Sequence, residues 1–269
     1  MQQQQIVTTM GQHQAARYVD EKDIFVAMAL SKFSQPKTRF LEVGVLFGGW
    51  VIHFLLNVPG AKSLGIDPYP GEEGVRIRTK MSETMRIFGL SSRFGLIESW
   101  KEISGKIEGD SFDIIHIDGD HSENAVLSDL KNAQGLLAEG GYIIVDDWHH
   151  PMFPGVGSAL HRFMAQSDYR MFAVTDRKAF LCHKNHHQKS QAFLADHLNS
   201  SEAVEWCWQH GKLPSGRKFR AEPTKEALGH VAGYTIENTV LGLPVMLILG
   251  AHNISTQSTP LISNPEPIE

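Results

Sequence analysis

Two short apolar segments that end in acidic residues place the strongest constraint on the fold. Phe112–Ile117 leads into Asp118, and residues 142–145 lead into Asp146 and Asp147. Short runs rich in Ile and Val are typical of strands that are buried on both faces of a parallel sheet. Because ligands bind at the carboxyl ends of such strands, we expect these three acidic side chains to meet at one edge of the sheet.

The three carboxylates predict a cation site. Acidic groups that lie close together repel one another unless a cation neutralises them, and oxygen ligands suit a hard ion such as Mg²⁺. We therefore expect Asp118, Asp146 and Asp147 to bind a divalent metal. The alternative, which the sequence leaves open, is that these residues cap helices or lie in solvated loops.

A second pattern, between residues 39 and 67, predicts a nucleotide-binding unit. A strand runs into a turn that contains Gly44 and Gly48, and a helix, a second short strand and Asp67 follow. This order is that of a βαβ unit in which the glycines let a ligand approach the backbone closely. Asp67, at the end of the second strand, is placed to accept hydrogen bonds from ribose hydroxyls.

The glycine spacing separates this turn from the dinucleotide fingerprint. That fingerprint has three glycines within six positions, whereas here the spacing is wider and Glu42 stands two residues before Gly44. A carboxylate suits a ligand with an ammonium or sulfonium group and suits a pyrophosphate poorly. An NAD-dependent oxidoreductase is therefore the less favoured interpretation. A further alternative is that these glycines form an ordinary turn between strand and helix with no ligand-binding role.

Composition excludes several classes. A net charge of −5 argues against a broad nucleic-acid surface. Cys182 and Cys207 have no metal-binding spacing, and we expect no disulfide framework. The most apolar segment, residues 240–251, is shorter than the roughly 20 residues that a membrane-spanning helix needs. We expect a soluble, cytoplasmic protein without a nucleic-acid or membrane partner, and a homo-oligomer stays an open alternative.

The alternation of strands and helices sets the predicted domain limits. We expect an N-terminal helical segment over residues 1–37, an α/β domain over 38–189 and a C-terminal extension over 190–269. The extension breaks the alternation, so it could cover the substrate pocket, form a dimer contact or lengthen the sheet. Its last residues, 256–269, contain three prolines and are predicted to be disordered.

Several shorter segments carry local predictions. Apolar spacing and breakers predict helices over 15–33, 101–107 and 192–208, a turn at 109–110, a helix that ends at Gly140 and Gly141, an antiparallel pair formed by 169–174 and 179–183, and a polar linker over 184–190.

Taken together, residues 41–49, 65–68, 112–124 and 140–147 resemble class I S-adenosylmethionine-dependent methyltransferases. The resemblance covers about residues 38–183. It implies a Rossmann-like α/β fold with a mostly parallel seven-stranded sheet and helices on both faces. The acidic pattern looks like that of metal-dependent small-molecule O-methyltransferases of the catechol and macrolide-sugar types.

The resemblance also implies a cofactor site. Glu42 and Gly44, in the glycine turn with Gly48, would line the methionine part of S-adenosylmethionine, and Asp67 would hold its ribose. Two further residues, Ser99 and Trp100, would flank the adenine, and Asp118 would lie beside the cofactor as well as the metal.

The catalytic residues follow from the same resemblance. Asp118, Asp146 and Asp147 would bind Mg²⁺ or a similar ion. His121 falls where catechol-type enzymes carry a lysine base, and its neutral form can accept a hydroxyl proton near pH 7. Apart from the resemblance, His149 and His150 are rival bases or substrate contacts, or loop residues without a role. Catechol-type enzymes carry an amide where Asp147 stands, so the macrolide-sugar type is closer there.

These inferences lead to an expected function. We expect S-adenosylmethionine-dependent O-methylation of a small-molecule hydroxyl, assisted by a divalent metal, on a sugar diol, a catechol or another natural-product acceptor. Two alternatives stay open: a metal-independent methyltransferase that uses a histidine base, and a non-catalytic methyltransferase-like partner subunit.

Overall fold

The computed structural model describes residues 21–34, 38–103, 111–175 and 177–198 and three strands between residues 225 and 251. The described α-helices are α1 (Glu21–Ser34), α2 (Gly49–Asn57), α3 (Gly71–Ile87), α4 (Glu123–Leu136), α5 (Pro154–Gln166) and α6 (His187–Leu198). The strands are β1 (Arg39–Val43), β2 (Lys62–Ile66), β3 (Phe94–Ile97), β4 (Phe112–Ile117), β5 (Leu137–Val145), β6 (Tyr169–Val174), β7 (Ala179–His183), β8 (Lys225–Val231), β9 (Tyr234–Thr239) and β10 (Val245–Ala251).

The first seven strands form a mostly parallel sheet in the order β3-β2-β1-β4-β5-β7-β6. Strands β3, β2, β1, β4 and β5 are mutually parallel, and β7 is antiparallel to both β5 and β6. This arrangement confirms the predicted α/β fold and the predicted hairpin of β6 and β7. It also brings the ends of β1, β4 and β5 side by side, which positions the acidic residues that follow them.

The sheet is longer than the seven strands that the sequence predicted. Strand β10 pairs antiparallel with β6, and β9 and β8 continue the sheet beyond it, so that the described sheet has ten strands. An edge strand such as β6 leaves backbone N–H and C=O groups unpaired, and β10 supplies their partners. Of the three roles left open for the C-terminal extension, these strands lengthen the sheet.

Two hydrophobic layers cover the two faces of the sheet. Successive residues of each strand point to opposite faces, so Ile114 packs with α1, α2, α3 and α6 while Ile115 packs with α4 and α5. All six residues of β4 are buried, as expected for a central strand. The helices therefore lie on both faces, as predicted.

Two local predictions were wrong. Helix α4 ends at Leu136 and β5 begins at Leu137, so the helix does not reach Gly140 and Gly141. The pairing of β4 with β5 shifts register in this region, and the φ of 75° at Gly140 belongs to an irregular strand. The segment 184–190 is also not a linker, because a 3₁₀ helix, Lys184–His186, leads directly into α6.

Some predictions fall where the structure gives no description. The start of the helix over 15–33, the 104–107 part of the short helix and the turn at 109–110 lie outside the described residues, as do the 199–208 part of the helix over 192–208, Cys207 and the tail over 256–269. The domain limits stay predictions. None of the helices in the described part of the chain combines the length and apolar composition that crossing a bilayer requires.

Gly44 provides a test of the turn after β1. Its φ is 82°, and a Cβ there would overlap the carbonyl oxygen of Asp118. We expect Gly44→Ala to lower the free energy of unfolding by about 3 kcal/mol or more, because overlap adds to the cost of a positive φ. Gly60, whose φ is 85°, has open space around it, and Gly60→Ala should cost only about 1–2 kcal/mol. Equal losses in urea unfolding would contradict this account.

Candidate active site

A cavity of about 740 Å³ lies over the carboxyl ends of β1, β2, β4 and β5. Ligand sites usually have volumes of about 300–1,000 Å³, so a cofactor-sized molecule fits. The residues at the ends of these four strands line it, together with Ser99 and Trp100 after β3, Asp129 of α4, Phe153 and Arg177.

Asp67 shapes the loop that follows β1. Its Oδ2 accepts hydrogen bonds from the backbone N–H groups of Val45, at 3.0 Å, and Leu46, at 2.9 Å. Leu46 has a φ of 48°, and its carbonyl accepts a 2.6 Å hydrogen bond from the Tyr69 hydroxyl. Asp67 therefore holds the glycine loop against β2 while it lines the cavity, where its remaining lone pairs can accept from a ligand.

A chain of buried polar groups runs beneath the cavity. Lys178 Nζ lies 3.0 Å from His116 Nε2, and His116 Nδ1 lies 3.2 Å from Glu42 Oε1. An ammonium group only donates, so Nε2 accepts and Nδ1–H donates to Glu42. Burial and the neighbouring ammonium hold the pKa of His116 well below its usual range. The imidazole is therefore neutral.

Glu42 forms one wall of the cavity and is only 2% exposed. Burial raises the pKa of Glu42 well above its usual range, although Lys178 opposes this shift. Its Oε2 is buried without a hydrogen-bond partner among the described groups. A buried unpartnered carboxylate oxygen is costly, and a ligand with an ammonium group would satisfy it. The residue thus fits the methionine end of S-adenosylmethionine.

Asp118 and Asp146 form the acidic centre of the cavity. Burial and the adjacent negative charge of Asp146 raise the pKa of Asp118 well above its usual range. Burial alone would also raise the pKa of Asp146, but the Lys178 ammonium, 2.8 Å from Asp146 Oδ2, together with His116 and the hydrogen bonds that Asp146 accepts, lowers this pKa. Two close carboxylates that do not ionise together are a favourable place for a cation.

Donor atoms of His116, Asp118 and Asp146 lie within 4.8 Å of one another, which is compact enough for a metal ion. The two ring nitrogens of His116 already contact Lys178 and Glu42. The two carboxylates are therefore the donors that fit a divalent ion, and oxygen donors suit Mg²⁺.

Asp147 lies beside this centre but faces two other groups. Its Oδ1 accepts a 2.9 Å hydrogen bond from Arg177, and its Oδ2 lies 3.5 Å from His121 Nε2. A φ of 50° turns the chain at this residue. The structure thus brings Asp118 and Asp146 together and holds the third predicted ligand in an ion pair at their side.

His121 lines the cavity between two carboxylates. Its Nε2 is 3.7 Å from Asp118 Oδ1 and 3.5 Å from Asp147 Oδ2, and this buried atom has no hydrogen-bond partner among the described groups. The ring stacks on Phe153 with centroids 4.2 Å apart. A positioned, unengaged imidazole nitrogen can accept a proton from a bound hydroxyl.

Two residues that the sequence predicted for the site, His149 and Gly48, do not line the cavity. His149 is exposed, and its ring packs at 5.1 Å from that of Trp148. Gly48, with a φ of 73°, starts α2, and its N–H donates to the Val45 carbonyl. Gly48 therefore shapes the loop after β1 without lining the cavity.

The predicted adenine subsite contains a partner that the sequence reasoning missed. Trp100 Nε1 donates a 2.7 Å hydrogen bond to Asp129 Oδ1 and is thereby fixed against α4. Ser99 Oγ donates to Glu102 Oε1 at 3.3 Å. Burial raises the pKa of Asp129 to about 6. In the sequence Asp129 looks like an ordinary polar position of a helix, so no local signal identified it.

His116, Arg177 and Lys178 were missed for a related reason. His116 stands inside an apolar strand, and the two cations stand in a hairpin turn, where basic residues are common. Only the hydrophobic environment of β4 gave a signal, since a histidine buried in a central strand needs partners for its ring nitrogens.

The strand order, with the glycine loop after β1 and the acid after β2, gives this chain the Rossmann-like fold of solved methyltransferase structures. Residues 41–148 match the family model described as a methyltransferase domain. This match agrees with the resemblance that the sequence motifs predicted.

Rhamnosyl O-methyltransferase of Mycobacterium tuberculosis is 28% identical over 124 residues, which are 44% of this chain and 49% of that protein. The chain thus spans about half the length of this curated relative. An O-methyltransferase from Bacillus cereus in complex with SAH aligns with a TM-score of 0.50 at 16% identity, over 66% of this chain and 86% of that one. TomG from Streptomyces achromogenes, an O-methyltransferase involved in tomaymycin synthesis, gives 0.52 at 15% identity, over 63% and 86%. The two solved structures establish the fold.

The raised pKa of Asp129 gives a testable pH dependence. Between about pH 4 and pH 6 the unfolded chain releases this proton and the folded protein retains it, so Asp129 lowers the free energy of unfolding as pH rises. Asp129→Asn keeps an acceptor for Trp100 and removes the titration. We expect the variant to gain about 1–2 kcal/mol relative to wild type between pH 4.5 and pH 7 in urea unfolding.

The control for this experiment is Asp196→Asn, which removes an exposed carboxylate from α6. Its stability relative to wild type should be the same at both pH values. A pH-independent difference for Asp129→Asn as well would show that Asp129 does not titrate in this range.

Proposed function

We propose that this chain transfers the methyl group of S-adenosylmethionine to a hydroxyl oxygen of a small molecule, with help from a divalent ion. One observation carries the proposal: a single cavity contains the unpartnered buried oxygen of Glu42 and the closely spaced carboxylates of Asp118 and Asp146. The first suits a cationic ligand group, and the second suits a metal ion.

The cofactor needs little chemical activation. A methyl sulfonium is already a good electrophile, so the protein must align an oxygen nucleophile opposite the leaving sulfur, and alignment alone can supply several kcal/mol. Glu42 would bind the ammonium end, Asp67 would accept from the ribose hydroxyls, and Trp100, fixed by Asp129, would pack beside the adenine.

The acidic centre would act on the acceptor. Asp118 and Asp146 would hold a divalent ion, which would supply the Lewis acidity that lowers the pKa of one hydroxyl of a chelating acceptor. His121 Nε2 would take the hydroxyl proton, since it faces the cavity without a hydrogen-bond partner among the described groups. This chemistry favours an acceptor with adjacent hydroxyls, such as a sugar diol or a catechol. The similarity to a rhamnosyl O-methyltransferase supports the sugar.

A metal-independent reaction is the second candidate. Arg177 and Lys178 already pair with Asp147 and Asp146, so the acids are partly neutralised by the protein itself. In that case His121 alone would remove the proton and the carboxylates would orient its ring. The two candidates differ in whether transfer requires an ion.

Calorimetry tests the cofactor assignment first. We expect S-adenosylmethionine to bind the full chain with a dissociation constant in the micromolar range, about −8 kcal/mol, and NAD to give no heat. A Glu42→Gln variant should bind more weakly, because it loses the carboxylate that faces the ammonium group. Binding of NAD but not of S-adenosylmethionine would overturn the proposal.

The metal requirement is tested by Asp146→Asn in single-turnover assays with diol and catechol acceptors. We expect at least a hundredfold loss of methyl transfer, and the same loss for wild type in a chelator, because the acceptor then lacks its ion. Asp168→Asn, at an exposed carboxylate of the β6 end, is the matched control. Full activity of Asp146→Asn would leave the metal-independent reaction.

A further inference from the structure

Two consecutive cations face two consecutive acids at the edge of the cavity. Lys178 Nζ lies 2.8 Å from Asp146 Oδ2, and Arg177 Nη2 lies 2.9 Å from Asp147 Oδ1. The pairs are one to one, and they join the turn before β7 to the end of β5. Among three carboxylates, these two are therefore neutralised by the protein itself.

The sheet register produces this match. Val145, the last residue of β5, pairs with Ala179, the first residue of β7, in antiparallel orientation. The two residues after Val145 and the two before Ala179 consequently lie side by side. The buried Thr175 fixes the turn, since its Oγ1 accepts from the backbone N–H of Lys178 at 2.9 Å.

Lys178 and Arg177 differ in how far their side chains are buried and can move. Lys178 is 3% exposed, contacts His116 Nε2 and lies 5.5 Å over the Trp50 ring. The Arg177 side chain is 45% exposed and lines the cavity, so its guanidinium can move into solvent. Lys178 is a fixed part of the centre, whereas the ion pair of Arg177 can open.

We propose that Arg177 gates the acidic centre by competing with a divalent ion for Asp147. This inference rests on the proposed function and describes how ion binding at the same site is regulated. With the ion pair closed, Asp147 is withheld and the three carboxylates face two resident cations. When the guanidinium leaves, Asp147 can turn to the ion that Asp118 and Asp146 hold. Arg177 is thus a positioning residue that acts through Asp147.

The gate has a direct consequence for metal affinity. A guanidinium and a divalent ion repel each other and require the same carboxylate, so removal of the guanidinium should tighten ion binding. Lys178 remains in both states and keeps Asp146 ionised and oriented. The buried lysine is not the variant of choice, because its loss would leave a buried carboxylate without its cation.

The test is titration of the full-length protein with Mn²⁺, followed by the electron paramagnetic resonance signal of the free ion. We expect Arg177→Gln to lower the dissociation constant at least fivefold relative to wild type. Arg162→Gln is the matched control, because the Arg162 side chain is 52% exposed and also pairs with a carboxylate, that of Glu123, at 3.4 Å. It should leave the Mn²⁺ affinity unchanged.

A double-mutant cycle ties the effect to Asp147. In an Asp147→Asn background the substitution Arg177→Gln should no longer tighten Mn²⁺ binding, because the shared carboxylate is gone. Unchanged or weaker binding by Arg177→Gln, the same gain in the Asp147→Asn background, or no Mn²⁺ binding by either wild type or Arg177→Gln would each overturn the gate.

The experiment also separates the gate from the proposed function. Mn²⁺ is titrated without cofactor, while S-adenosylmethionine binding is measured by calorimetry on the same samples. If wild type binds S-adenosylmethionine and Arg177→Gln does not tighten Mn²⁺, the gate fails and the methyltransferase assignment stands. If S-adenosylmethionine does not bind, the proposed function fails whatever the Mn²⁺ result.

Discussion

The buried ion pair between Lys178 and Asp146 organises the site. Through His116 it continues to Glu42, so that one chain of contacts ties the ends of β1, β4, β5 and β7 together. Removal of one partner from a buried pair commonly costs about 3–5 kcal/mol, because the other charge stays buried. These contacts also set the charge on each group: burial and the ammonium lower the pKa of His116, and the ammonium helps to lower the pKa of Asp146.

These contacts also explain why the Glu42 end and the Asp118 end of the cavity favour positive charge for different reasons. At Glu42 burial dominates and leaves one oxygen unpartnered, which favours a cationic ligand. At Asp118 burial and, after it, the neighbouring Asp146 carboxylate raise the pKa, so a cation or a proton between the two acids is favoured. One cavity therefore offers two places for positive charge, lined by residues at the ends of different strands.

The parts of the site that the sequence could predict are those whose signals are local. An apolar run that ends in an acid identifies Asp118 and Asp146 because strand and carboxylate are adjacent in the chain, and the glycine turn with Asp67 is recognisable for the same reason. Arg177 and Lys178 have no such signal. Their role depends on the register of β5 against β7, which brings together residues about 30 positions apart, and single-sequence patterns do not determine register between distant strands.

The ion pairs of Arg177 and Lys178 with Asp147 and Asp146 affect whether the acidic centre needs a metal ion in order to fold. Three bare carboxylates at one sheet edge would repel one another in the folded state, and such a centre would need a metal to be stable. Here the turn before β7 supplies two cations from within the chain, so folding of the acidic centre does not depend on an ion. The net charge that remains is small, and an arriving ion gains less than it would at three free acids. A centre built in this way can exist without its ion and accept one when the reaction requires it, and the exposed guanidinium of Arg177 is the part free to move.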